Sequence, residues 1–244
     1  MPAGSLYLVP TGLGGENLAS ILPQATLEHA RRITHFVAEN PRSARAFLKA
    51  IGHAAPLQSV QIATLDEHTP VSHIPALLQP LHDRNDCGLL SEAGAPAVAD
   101  PGALLVRAAH AAGIRVVPLV GPSALLLAVM ASGMNGQHFA FHGYLPVKPA
   151  ARAKRLVGLE NESGRGGITQ LFIEAPYRNE GLLAAILGTC RADTLLGLAI
   201  DLTLPTEDVR VRPVSEWTKD RPALARRPTV FLLYRENRAG AQKR

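Results

Sequence analysis

The stretch from Ser91 to Gly102, "SEAGAPAVADPG", sets two carboxylates, Glu92 and Asp100, among alanines, glycines and prolines. Residues this small keep side chains out of the way, so backbone N–H and C=O groups can face a ligand. A plain restart of a helix needs only Asp100-Pro101-Gly102, and the residues before it are too many and too small for a simple connection. "VPTGLGGEN" (Val9–Asn17) places glycines after an apolar run, which again suits close approach of a ligand to the main chain. The spacing lacks the third glycine of G-x-G-x-x-G, so the dinucleotide fingerprint fails, and a tight structural turn is the alternative. Glu39 closes the second apolar run, where a ribose-reading acid sits in nucleotide-binding domains. Asp66-Glu67-His68 closes the third; the histidine either polarises a hydroxyl or faces solvent.

These residues need elements to hold them. Ser5–Pro10, Ile33–Glu39, Val60–Glu67, Cys87–Ala93 and Ile114–Val120 read as strands by their β-branched and aliphatic content. Helical patterns lie between them. "PRSARAFLKAIGH" has Pro41 in its first turn. "DPGALLVRAAHAAGI" has Asp100 as N-cap and apolar residues at helical spacing. Strand, helix and strand at this interval predict crossover units and a mainly parallel sheet, with ligands beyond the carboxyl ends of the strands. The texture changes after Val120. A small-residue helix "GPSALLLAVMASG" is followed by strand Phe139–Leu145, a basic helix around Ala150–Leu159 and a loop at "NESGRGG". Strand "TQLFIEAP", helix "NEGLLAAILGT", strand "TLLGLAIDL" and strands near Val209–Val211 and "TVFLLYR" complete the chain. The expected fold class is α/β with two α/β domains, residues 1–120 with a mainly parallel sheet and residues 121–244 with a mixed one.

The chain has 244 residues, 47% hydrophobic and 18% charged, a balance that argues for a packed enzyme and against disorder. Cys87 and Cys190 lie far apart without metal-ligand spacing, so no metal is expected and the thiols read as incidental, as in a cytoplasmic protein. No apolar run reaches membrane-spanning length, and "MPAGSLYLVP" lacks the basic region of a signal peptide. The formal net charge of +5 suits a nucleic-acid partner. The dense clusters are Arg31-Arg32, Lys148–Arg155 and Arg235–Arg244. They lack the interleaved aromatics of a single-strand platform, and solvated helix faces are the alternative.

"SEAGAPAVADPG" resembles the "S-D-A-G-T-P-L-I-S-D-P-G" signature of the tetrapyrrole methylase superfamily, in its branch of small-subunit ribosomal RNA ribose 2'-O-methyltransferases. Further stretches match in order: "LYLVPT", "VAENPRSARAFL", "DEHT", "VVPLVGPSAL", "ASGM", "FHGYLP", "FIEAPYR" and "AIDLTLPTE". The resemblance covers nearly the whole chain. It implies two α/β domains, S-adenosyl-L-methionine in the cleft between them, and a homodimer. It carries cofactor contacts onto Leu13, Glu92, Ala93, Gly94, Val98, Ser123, Ala124, Glu174 and Leu202. Small residues then let the folded cofactor lie against the main chain, and orientation of the methyl supplies most of the acceleration.

The chain also departs from that pattern. Where the branch has A-E-D-T-R, this sequence has Ala38-Glu39-Asn40-Pro41-Arg42. A ribose hydroxyl needs its proton removed or polarised, and an amide is no base. The catalytic candidates are therefore Glu39, Asn40, Arg42 and His68, with Arg42 suited to a phosphate. Tyr177 and Arg178 begin a helix from which they could touch substrate or pack. "VENP", "TLPTE" and "RPTVFLLY" look like a sister branch of the family. The favoured acceptor is ribosomal RNA. The alternatives are a small molecule such as a tetrapyrrole, a non-catalytic RNA- or ribosome-binding protein that keeps the fold, and a nicotinamide-dependent oxidoreductase, which the failed glycine spacing counts against.

Overall fold

The computed structural model describes residues 3–15 and 17–236. Glu16 of the first glycine loop and the basic tail from residue 237 lie outside the described residues. The chain divides into two compact units, Met1–Ser123 and Ala124–Arg244.

The first unit alternates β1 (Leu6–Val9), α1 (Gln24–Arg32), β2 (His35–Ala38), α2 (Pro41–Ala50), β3 (Gln61–Thr64), α3 (Gln79–His82), β4 (Cys87–Leu90), α4 (Gly102–Ala111) and β5 (Val116–Pro118). The sheet order is β3-β2-β4-β1-β5, and every pairing is parallel. Such a sheet is covered on both faces, which is why "CGLL" of the central β4 is buried at all four positions. Successive residues serve opposite faces. Phe36 and Leu90 join one apolar cluster with Leu27, Phe47 and Leu48, while Val37 and Leu89 join another with Leu81, Leu105 and Ala109. β1 and β4 are neighbours whose connections leave to opposite sides, β1 toward β2 and β4 toward β5. That is the switch point at which ligands gather in open α/β sheets.

Several elements are shorter than the sequence expectation, β3 ending at Thr64 rather than Glu67 among them, and two boundaries have a visible cause. β4 stops at Leu90 rather than Ala93, because the Ser91 hydroxyl donates to the Gly94 carbonyl at 2.7 Å and turns the chain. α4 begins at Gly102 with Pro101 at the N-cap position. Asp100 caps from one residue further out: its carboxylate accepts the N–H groups of Gly102 at 2.8 Å and Ala97 at 2.9 Å. α1, which the sequence reading left without an element, buries Thr26, Leu27 and Ala30.

The second unit runs α5 (Ala124–Ser132), β6 (Phe139–Tyr144), α6 (Pro149–Gly166), β7 (Thr169–Ile173), α7 (Asn179–Thr189), β8 (Leu195–Ile200), β9 (Asp208–Pro213) and β10 (Thr229–Tyr234). Its sheet, β6-β7-β10-β8-β9, is mixed: β6 and β7 are parallel and the other pairs antiparallel. Phe172 and Phe231 stack at 5.9 Å in a core with Leu156, Leu159, Ile186 and Trp217. The segment "NESGRGG", read as a loop, is instead the last two turns of α6 and its cap. Ser163 is fully buried and its hydroxyl accepts the Arg235 N–H at 2.8 Å. A Cβ on Gly164 would stand 3.2 Å from Arg235 Cδ. Only small residues let β10 and α6 approach so closely, and the helix ends where Gly167 turns left-handed at φ 62°. Among the described residues no helix is long and apolar enough to cross a membrane.

Candidate active site

In the first unit the loops after β1 and β4 are zipped together by main chain. Thr11 N–H donates to Gly94 O at 2.9 Å, and Gly94 N–H donates to Gly12 O at 3.2 Å. Gly94 has φ 70°, and a Cβ there would lie 2.9 Å from Leu13 Cδ2 and 3.3 Å from the Pro122 carbonyl oxygen. The position demands glycine on both conformational and steric grounds. Ala97 (φ 65°) and Ala99 (φ 62°) also sit in left-handed backbone, which is uncommon for residues that carry a Cβ. Between them Val98 is 48% exposed, an apolar side chain held outward with nothing to cover it. Leu13, Glu92, Ala93, Gly94 and Val98 thus belong to one pair of joined loops. Ser123 closes the unit, immediately before α5.

The carboxyl ends of β2, β3 and β4 bring acids together. Glu39 is raised above the ordinary carboxylate value, first by desolvation at the strand end and then by the neighbouring carboxylates Glu92, Asp100, Glu67 and Asp66. Asp100 is raised by burial, against the pull of its two backbone donors. Asp66 is lowered, chiefly by the Thr69 hydroxyl, which donates to it at 2.8 Å; it also accepts the His68 N–H. Glu92 accepts a short hydrogen bond from the Ser43 hydroxyl of α2, a link between residues 49 apart that no local pattern announces. Asn40 is the N-cap of α2: its side-chain oxygen accepts the Arg42 N–H at 2.9 Å. Arg42 and His68 are exposed, with His68 Nε2 at 3.6 Å from Glu67. Glu39, Asn40 and Arg42 therefore stand on one strand-to-helix turn, and His68 on the next turn along the same rim.

In the second unit the corresponding carboxyl ends carry Glu174 after β7 and Leu202 after β8. The Glu174 side chain is wholly buried. One oxygen accepts Ala175 N–H at 2.8 Å and an Arg178 guanidinium N–H at 2.6 Å; the other has no protein partner. Asn179 Oδ1 and Thr203 Oγ1, just beyond the same strands, are also buried without partners. Unmatched buried polar atoms cost free energy unless something else meets them. Arg227 fastens this end: it donates to Asp201 at 2.7 Å and to Thr206 O at 2.7 Å, while its own carbonyl accepts from Asn179 Nδ2 at 2.7 Å. Asp201 and Thr203 are held at positive φ on either side of Leu202, whose side chain is buried, so that its backbone rather than its side chain is what the loop displays. Ala124 is the first residue of α5.

The two thiols take no part. Burial pushes Cys87 and Cys190 up to about 12. Among the described residues no group of three His, Cys, Asp or Glu is placed to hold a metal ion.

Comparison with known proteins identifies the family and the fold. The family described as Tetrapyrrole (Corrin/Porphyrin) Methylases matches residues 5–218. A protein of Xylella fastidiosa (strain Temecula1) named "Ribosomal RNA small subunit methyltransferase I" is 39% identical over 192 residues, covering 77% of this chain and 66% of its own. A protein of the same name from Pseudomonas aeruginosa is 35% identical over 216 residues, covering 88% of this chain and 72% of its own. The chain thus spans about two thirds to three quarters of the length of these relatives. Among solved structures, the methyltransferase CobJ superposes with a TM-score of 0.63 at 19% identity, over 97% of this chain and 95% of that one.

Proposed function

The chain belongs to the tetrapyrrole methylase family, and on that premise we propose that it is an S-adenosyl-L-methionine-dependent methyltransferase whose acceptor is a ribose 2'-hydroxyl of ribosomal RNA. The observation that carries the acceptor is the name shared by the relatives at 35–39% identity, each called a ribosomal RNA small subunit methyltransferase. A cytoplasmic site of action goes with that acceptor.

The residues present fit the cofactor. When bound, S-adenosylmethionine supplies an electrophilic methyl group on a positively charged sulfonium. A rim carrying Glu39, Glu92, Asp100, Glu67 and Asp66 favours a cation. The joined loops offer Leu13, Glu92, Ala93, Gly94 and exposed Val98 as a surface of main chain and small side chains, with Ser123 beside the start of α5. In the second unit, Ala124, Glu174 and Leu202 are the holding residues, supported by the unmatched oxygens of Glu174, Asn179 and Thr203.

Glu39 is the general base in this reading. Its raised pKa makes it a stronger acceptor for a hydroxyl proton than an ordinary carboxylate. Asn40 is not lost machinery: asparagine and aspartate cap a helix about equally well, so the substitution leaves α2 in place and moves the basic role to its neighbour. Arg42, exposed on the same turn, suits a phosphate flanking the ribose, and His68 is a second hydroxyl-polarising group. The chain is read as a homodimer, supported by Leu126 and Met130, which stand one turn apart on the almost wholly apolar α5 and are 54% and 78% exposed.

Calorimetric titration with S-adenosylmethionine and S-adenosylhomocysteine, with NADH as control, tests the cofactor. Micromolar binding of the first two alone is expected. A labelled-methyl assay on small ribosomal subunits and on naked RNA from a deletion strain tests the acceptor; label in alkali-resistant dinucleotides is expected, and label absent from RNA overturns it.

A further inference from the structure

Apart from Arg42, the rim of the first unit is lined by acids that suit a cation and repel phosphates, so an RNA strand needs a further grip. A basic stretch free of acids lies in the second unit. Between Leu145 and Leu159 the sequence holds Lys148, Arg152, Lys154 and Arg155 and no acid. Arg155 is occupied: it donates to His142 Nδ1 at 3.1 Å and to Glu162 at 2.9 Å, which pins this turn of α6 against β6. Lys148 and Lys154 are exposed, and the buried Nε of Arg152 has no partner.

Along the sequence this basic stretch has no aromatic neighbours within it. The fold brings two. Tyr144 is the last residue of β6, four positions before Lys148, and is 59% exposed. It pairs in register with Ile173 of the parallel neighbour β7. The chain leaving β7 turns through Pro176–Arg178 and presents Tyr177 at 76% exposure. The Arg178 guanidinium lies 5.6 Å from the centroid of the Tyr177 ring, and it is itself tied to buried Glu174. Two open tyrosines thus lie at the same ends of adjacent parallel strands, Tyr144 leading within four residues to Lys148, for which, as for Arg152 and Lys154, the described residues supply no acidic partner. Aromatic faces for bases next to charges for a backbone are the two components of single-strand recognition.

We propose that Tyr144 and Tyr177, with Lys148, Arg152 and Lys154, form a docking surface for single-stranded RNA at the carboxyl ends of β6 and β7. The proposal rests on the RNA acceptor given above and adds where and in what form the RNA is held. The tyrosines stack on unpaired bases, and the lysines and Arg152 meet the phosphates. A duplex, with its bases already stacked, gains nothing from the rings.

Fluorescence anisotropy on the full chain, with a labelled single-stranded RNA oligonucleotide and the same strand annealed to its complement, tests this. The single strand is expected to bind more tightly. Tyr144→Ala and Tyr177→Ala are each expected to weaken it by about five- to a hundredfold, while the Tyr→Phe variants bind like the unaltered chain. A Lys148→Ala/Lys154→Ala double variant is expected to flatten the slope of log affinity against log salt by about 0.7 per lost phosphate contact. Calorimetric affinity of Tyr144→Ala for S-adenosylmethionine is expected to be unchanged, which shows the variant folded. Alanine variants that bind RNA normally overturn the surface alone. Loss of affinity only in step with a shift from dimer to monomer in sedimentation overturns it too, by assigning the rings to a second copy of the chain. An unaltered chain that binds S-adenosylmethionine but no RNA removes both the surface and the RNA acceptor.

Discussion

Replacing Gly94 by alanine adds one methyl group at the junction of the two loops that the cofactor reading depends on. Two costs can be separated. Alanine at φ 70° pays about 1–2 kcal/mol for left-handed backbone. The new Cβ also stands 2.9 Å from Leu13 Cδ2 and 3.3 Å from Pro122 O. Leu13 can swing away, but Gly94 cannot draw back from the Pro122 carbonyl, because it is bonded on both its N–H and its C=O to the first loop. Overpacking of this kind costs about 1–3 kcal/mol more. Gly113 provides the control: its φ is 68° and nothing lies within 4 Å of a Cβ placed there, so Gly113→Ala incurs the conformational cost alone. In urea denaturation at neutral pH, Gly94→Ala is expected to lose about 2–5 kcal/mol and Gly113→Ala about 1–2 kcal/mol. In calorimetry, Gly94→Ala is expected to bind S-adenosylmethionine at least about tenfold more weakly, some 1.4 kcal/mol, while Gly113→Ala binds normally. Equal stability losses together with unchanged cofactor affinity would refute the reasoning, since the methyl would then have found free space at a place that contacts nothing.

Glu39→Gln is expected to lower methyl transfer by about 10²–10⁴-fold. Its stability should hold or rise by up to about 0.5 kcal/mol at pH 7. The sign follows from the raised carboxyl: the folded state binds its proton more readily than the unfolded one, so stability falls as pH climbs from 4.5 through the folded value, and removing the charge relieves that loss. Intact turnover would clear Glu39 of the role. The acid limb of the rate profile is expected to have its midpoint above 4.5, and Glu67→Gln should move it toward lower pH by removing one neighbouring carboxylate; an unmoved midpoint points to another group. Arg178→Ala strands the buried Glu174 carboxylate with a single backbone donor and is expected to cost about 3–5 kcal/mol in chemical denaturation, much of it recovered in a Glu174→Gln/Arg178→Ala double variant. Asn40→Ala should lose about 1 kcal/mol of stability while Asn40→Asp loses almost none, as expected for a helix cap rather than a catalytic group.

In the proposed reading the acidic rim serves the sulfonium and the basic surface serves the polyanion. Like charges crowd at the ends of β2, β3 and β4, where they destabilise the fold and raise Glu39. Such local cost is a common mark of a functional site. The acid-free basic stretch lies in the other unit, at the start of α6, with Tyr144 four residues before it.

The alternation of apolar runs and amphipathic helices was enough to read an α/β chain, because period and turn chemistry are local properties. The same holds in part for the signature loop: Gly94, at φ 70° and hemmed in by Leu13 and Pro122, requires glycine, so the small residues of "SEAGAPAVADPG" did mark special backbone. Local signals failed where long-range packing overrode propensity. "NESGRGG" is rich in poor helix formers, each glycine costing about 1 kcal/mol in a helix, yet it is helical because Ser163 and Gly164 let Arg235 and β10 close against α6. Strand order, the Ser43–Glu92 link, the fastening of the Asp201 loop by Arg227 and the pairing of Tyr144 with Ile173 join residues tens of positions apart. The chain order carries no record of such meetings, because they depend on which buried surfaces fit one another once the chain has folded.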